Sequence, residues 1–135
     1  MMKYAIRYYT KSNHTKQLAD CIAEVLDIEA LDITHPLVED VEVLFFGSSV
    51  YGNSVDPEVR DYIFAIDVNV SRMVCFGTAG VMESSYDEVR SLADLKDIPV
   101  DEREFHCKGE FVGMNRGKPD ESDLDELRSF VRNVM

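Results

Sequence analysis

The sequence predicts an α/β fold, a doubly wound parallel sheet of five strands in the order 2-1-3-4-5 with helices on both faces. Three observations carry that expectation. Short apolar runs rich in β-branched and aromatic residues alternate with stretches of helical spacing. Two of the most apolar runs end directly on a glycine, Gly47 and Gly77. Asp56-Pro57 and Pro119-Asp120 are helix-start signals immediately ahead of apolar stripes.

The elements follow in order. Tyr4 to Tyr9 (YAIRYY) reads as a strand, and Leu18, Ile22, Val25 and Leu26 repeat at helical spacing. Ile28 to Ile33 is a short strand candidate, and Val41 to Phe46 (VEVLFF) a strong one. Asp56 caps the next helix, Pro57 takes its first position, and Val59, Ile63 and Ile66 form its buried stripe. Met73 to Phe76 is the fourth strand; a helix follows over about 85–95 with Val89, Leu92 and Leu95 facing inward. Pro99 to Phe111 holds the last strand, and the final helix turns Leu124, Leu127, Phe130, Val131 and Val134 to the core. Strands separated by helices pair in parallel through right-handed crossovers. Arg7 is out of place in a central strand of such a sheet, which is covered on both faces.

The totals bound the function. A length of 135 residues suits one domain, residues 1–135, with no internal repeat or linker. With 14 basic and 26 acidic residues the net charge is −12, which argues against nucleic acid and anionic membrane surfaces as partners. It suits docking on a basic patch of another protein, or simply solubility. Cys21, Cys75 and Cys107 are too widely spaced for a metal or redox pair; Cys21 and Cys75 read as small buried hydrophobes. No His/Cys/Asp cluster has metal-ligand spacing, so no metal is expected. The N-terminus has no signal-peptide pattern and no apolar run nears the ~18–20 residues of a membrane span, so the expected location is cytoplasmic.

Ligands in such sheets bind beyond the carboxyl ends of the strands, which directs attention to three segments. The first is Thr10-Lys11-Ser12-Asn13-His14-Thr15, which places three hydroxyls around a helix N-terminus. Unpaired amide N–H groups and the helix dipole favour an anion there, and a phosphate monoester suits the chemistry. The plain alternative is that Thr10, Ser12 and Thr15 only cap the helix. The second is Ser48-Ser49-Val50-Tyr51-Gly52-Asn53-Ser54, and the third Gly77-Thr78-Ala79-Gly80-Val81-Met82-Glu83; each can also be read as an ordinary turn.

Together these segments resemble the flavin-binding loops of the flavodoxin family. The first is similar to the family's phosphate loop, Thr/Ser-x-Thr/Ser-Gly-Asn-Thr: Thr10, Ser12 and Thr15 match the hydroxyls. Asn13 stands where the family has Gly, and His14 where it has Asn. Asn tolerates positive φ better than most residues, so the turn remains accessible, and Lys11 and His14 can meet a phosphate. The resemblance implies that Tyr51 packs on an isoalloxazine ring, that Gly52 turns its peptide toward the flavin N5, and that Gly77 and Gly80 let amides approach the pyrimidine edge. Asn53 replaces an Asp common in the family, and Val81 and Met82 replace a second aromatic. The opening residues Lys3 to Tyr9, the stretch Phe105 to Phe111 and Gly117-Lys118-Pro119 resemble small bacterial and anaerobe members.

The implied function is that of an FMN carrier passing electrons to a redox partner with a basic patch, as a monomer or weak dimer and with no catalytic residue. Two alternatives stay open: a small FMN-dependent NAD(P)H or quinone reductase, and an accessory protein of a larger reductase whose FMN binding is weak or lost. His106 is adjacent to Cys107, so on a strand the two point to opposite faces and Cys107 is no nucleophile candidate. A response-regulator receiver would need acidic residues where Thr10-Lys11-Ser12 and Ser48-Ser49-Val50 stand.

Overall fold

The computed structural model describes residues 3–10, 13–51, 54–79, 86–108 and 119–135. The elements run β1 (Tyr4–Tyr8), α1 (His14–Leu26), β2 (Ala30–Asp32), β3 (Val41–Tyr51), β4 (Ser54–Val55), α2 (Pro57–Ala65), β5 (Val70–Ala79), α3 (Tyr86–Asp94), β6 (Val100–Lys108) and α4 (Glu121–Val134). The sheet order is β2-β1-β3-β5-β6, every neighbouring pair on this path is parallel, and β4 pairs with β3. Setting β4 aside, this is the expected 2-1-3-4-5 arrangement. β4 was not foreseen; it folds back antiparallel on the end of β3, with Tyr51 opposite Ser54.

Alternation along β3 builds the two cores. Leu44 and Phe46 point to one face, where α2 supplies Val59 and Ile63 and α3 supplies Tyr86, Val89 and Ala93. Val43 and Phe45 point to the other, where α1 supplies Leu18, Ala19 and Ile22 and α4 supplies Leu127, Val131 and Val134. Cys21 and Cys75 are buried among them, as expected of small hydrophobes. Asp56 accepts a bond from the Glu58 N–H with Pro57 in the first turn, so the start of α2 follows its signal. Asp120 and Asp123 form a reciprocal capping box at α4.

Three expectations are corrected. Leu95 is 74% exposed, because α3 ends at Asp94 and Ala93 takes the inward position instead. Strand and helix do not alternate throughout: β2 and β3 are joined without a helix by residues 33–40, a span shorter than a helical crossover needs. Ser48 to Tyr51 and Gly77 to Ala79 are strand rather than loop, since the ladder continues through Ser48↔Gly77, Ser49↔Thr78 and Val50↔Ala79.

Arg7 explains how the helix-free connection is held. Its guanidinium donates to the carbonyls of His35 (2.8 Å), Ile6 (2.9 Å) and Pro36 (3.3 Å), and the Tyr62 hydroxyl donates to the same His35 carbonyl. A buried cation is thus spent on backbone acceptors that no helix satisfies. At the other edge, Asp101 binds Arg72 and Arg103, which donate to the Val134 and Asn133 carbonyls at the end of α4. No helix among the described residues is long and apolar enough to cross a membrane.

Candidate functional site

The carboxyl ends of β1, β3 and β5 form one edge of the sheet, and all three candidate segments start there. Lys11, Ser12, Gly52, Asn53, Gly80, Val81, Met82 and Glu83 lie outside the described residues. Ser49, Val50, Tyr51 and Ala79 are placed by their backbones, as ladder residues beside the edge.

At the first segment the chain turns through Asn13, whose φ of 67° and ψ of 4° are left-handed. That is the conformation expected of an Asn standing in for Gly. α1 then starts at His14. The side chain of its N-cap, Asn13, makes no cap hydrogen bond, and its first turn has no acidic residue. The first-turn amides have no intrahelical acceptor, and the dipole adds partial positive charge. Beside them Thr10 has a buried Oγ1 without a hydrogen-bond partner among the described residues. Burying a hydroxyl in that state is costly, and an acceptor such as a phosphate oxygen would relieve it.

Thr15 points inward. It is fully buried, and its Oγ1 lies 3.0 Å from Oγ1 of Thr78 at the end of β5, a hydrogen bond across 63 positions of sequence. This bond ties the first segment to the third. A second tie runs from Tyr9, whose hydroxyl donates to Asp56 Oδ2 at 2.9 Å, while Asp56 Oδ1 caps α2. The end of β1 is therefore fixed to the start of the helix that follows the second segment. Neither tie was evident in the sequence, because each joins residues far apart in the chain.

The two glycines serve packing. A Cβ on Gly47 would enter the Phe76 ring. A Cβ on Gly77 would collide with the Ser48 carbonyl oxygen and stand 3.1 Å from Cδ2 and Nε2 of His106. His106 thus lies against Gly77 on the neighbouring strand, and its Nδ1 is 2.6 Å from Glu104 Oε1. The i, i+2 spacing of two polar residues on one strand was the available sign of this pair. Below it, burial pushes the Cys75 thiol up to about 12. A cavity of about 530 Å³ lies elsewhere, between the 33–40 connection and α2, and none of the candidate site residues lines it. Among the described residues no group of His, Cys, Asp and Glu could hold a metal ion.

No family model matches the chain, and no curated protein matches it in sequence. Solved structures do match in shape. A flavodoxin from the domain Archaea superposes with a TM-score of 0.78 at 14% identity, over 98% of this chain and 96% of that one. Flavodoxin 1 from Bacillus cereus gives a TM-score of 0.74 at 16% identity, over 96% and 95%. The rubredoxin oxygen:oxidoreductase of Desulfovibrio gigas gives 0.76 at 15% identity, with 96% of this chain matching 34% of that larger one. These likenesses agree with the strand order and the position of the candidate edge, and the chain is flavodoxin-like in fold.

Proposed function

We propose that this chain binds one FMN at the carboxyl edge of its sheet and passes electrons to a redox partner. The observation that carries the reading is the start of α1, where the positive end of a helix whose Asn13 side chain makes no cap hydrogen bond meets the buried Oγ1 of Thr10, which has no hydrogen-bond partner among the described residues. A phosphate monoester supplies the acceptor oxygens and negative charge this arrangement lacks. Thr10, Lys11, Ser12, Asn13, His14 and Thr15 would hold the phosphate. Ser48 to Asn53 and Gly77 to Met82 would flank the ring, with Tyr51 against one face. The bound flavin supplies the redox chemistry; the protein positions it and sets its surroundings. The net charge of −12 supports a partner with a basic docking patch.

The test is a titration of the purified protein with FMN and with riboflavin, followed by desalting and an absorbance spectrum. The expected result is retained flavin and binding of FMN at least about tenfold tighter than riboflavin, as one charge-assisted phosphate contact of about 1.5–3 kcal/mol would give. Equal affinities would remove the phosphate site. No uptake of either flavin would favour the accessory-protein reading, for which Asn13 and His14 in place of Gly and Asn are the supporting feature.

A further inference from the structure

The feature that the flavodoxin-like reading does not use is the Glu104–His106 pair. Both side chains project from β6 on the α3 side of the sheet, with Nδ1 of His106 2.6 Å from Oε1 of Glu104. The His106 side chain is 9% exposed and that of Glu104 29%, so the pair is largely withdrawn from water. The other side of the imidazole lies over Gly77, where the third candidate segment leaves the edge. Gly77 is open to the ring only because it lacks a Cβ.

The titratable neighbours narrow what this pair can do. Cys75 on β5 lies opposite Glu104, and burial raises its thiol to about 12, so it keeps its proton. Tyr86 on α3 has its phenol raised, chiefly by burial, and donates to the Asp101 carbonyl; it too stays protonated. Arg90 on α3 stays charged beside Tyr86. Asp101 on β6 is held far below the usual carboxylate range, first by its bond to Arg103 and also by Arg72, so it stays ionised. Asp87 and Glu88 on α3 are exposed. Cys107 faces the opposite side of the sheet, toward α4. Among the described residues on the α3 side of β6, Glu104 and His106 are a carboxylate and an imidazole held together largely out of water beside Gly77, whereas Asp87, Glu88 and Glu102 are exposed.

Resting on the reading that a flavin occupies the edge, we propose that the Glu104–His106 pair takes up one proton from solvent when that flavin gains one electron. The electron comes from an external one-electron reductant, and the proton settles on the pair. The net charge of the buried edge is then unchanged by reduction. Charge added to a low-dielectric region is costly, and an opposite charge taken up nearby offsets that cost. The consequence is a reduction potential that depends on pH through a protein side chain.

The experiment compares midpoint potentials of the FMN-loaded protein from about pH 5 to 8, the range in which imidazole commonly changes charge. His106→Gln keeps a planar polar group against Gly77 but cannot take up a proton; Glu104→Gln removes the paired charge. His35→Gln, at an exposed histidine on the 33–40 connection, serves as the reference. The expected result is that wild type and His35→Gln share a slope. His106→Gln should be shallower by up to a tenfold change in reduced-to-oxidised ratio per pH unit, about 59 mV for one electron. An unchanged slope in a folded, flavin-loaded His106→Gln overturns the proposal. If that variant does not fold, the wild-type His106 ring resonances decide: they must move on reduction at constant pH, and fixed resonances overturn it equally. Failure to retain FMN appears in the absorbance spectrum before any potential is measured, and that outcome removes the flavin reading and this inference with it.

Discussion

Thr15 in the first turn of α1 and Thr78 at the end of β5 share a buried hydrogen bond, Oγ1 to Oγ1 at 3.0 Å. It joins two segments that the sequence separates by 63 positions, and it stands where the carboxyl edge would receive a ligand. Replacing either residue by Val removes the bond while keeping the shape. Each single change should cost about 1 kcal/mol. The double variant should cost less than the sum, and a double-mutant cycle by urea denaturation measures the coupling. Strict additivity would show that the two hydroxyls do not depend on one another.

Gly77 gives a steric prediction. A Cβ there meets the Ser48 carbonyl oxygen, which belongs to a paired strand and cannot retreat, and presses on the His106 ring. Gly77→Ala should destabilise the fold by about 1–3 kcal/mol, as overpacking does. Thermal melting reads the loss, and an unchanged Tm would mean that the two strands separate more easily than their register implies.

Arg7 should be as important to the 33–40 connection as a core residue is to the sheet. Arg7→Met keeps the aliphatic stem but removes the donors to His35, Ile6 and Pro36. The net loss should be about 2 kcal/mol, because relief from burying the cation offsets part of the cost of losing three hydrogen bonds, and the Tyr62 hydroxyl still donates to the His35 carbonyl. Hydrogen exchange should accelerate in residues 33–40 before it does in β3. Uniform acceleration over the whole sheet would contradict a local anchoring role.

Asp101 gives a pH dependence. Its folded-state carboxyl is held below the usual range by Arg103 and Arg72, so it is depressed relative to the unfolded chain. A depressed carboxyl adds stability that is fully present above its unfolded value, about 3.9, and disappears as pH falls through the lower folded value. Asp101→Asn should therefore cost about 2 kcal/mol at neutral pH, a figure reduced for the partial exposure of the two arginines. The gap to wild type should narrow in strong acid. Parallel curves of unfolding free energy against pH would rule out the ion pairs as the cause.

The phosphate segment can be tested at a residue the structure describes. Thr10→Val removes a buried hydroxyl that has no partner among the described residues, so the protein without flavin should lose little stability or gain slightly. FMN affinity should fall about tenfold, with riboflavin affinity nearly unchanged. Equal losses for both flavins, read by fluorescence titration, would place Thr10 away from the phosphate.

The sequence by itself determined the fold class, the strand order, the helix starts at Asp56-Pro57 and Asp120, and the left-handed turn available to Asn13. Each of these rests on local chemistry: apolar period, capping side chains and backbone tolerance act over a few residues, so they are visible in one stretch of sequence. Leu95 misled because the helical period continues past the point where the helix stops, and periodicity carries no mark for a helix end. Only the tertiary structure decided that Thr15 binds Thr78, that Tyr9 reaches Asp56, that Arg7 replaces a missing helix and that His106 lies over Gly77. These contacts depend on strand register and on which backbone atoms remain unpaired once the sheet has formed. Neither is written in the spacing of residues along the chain.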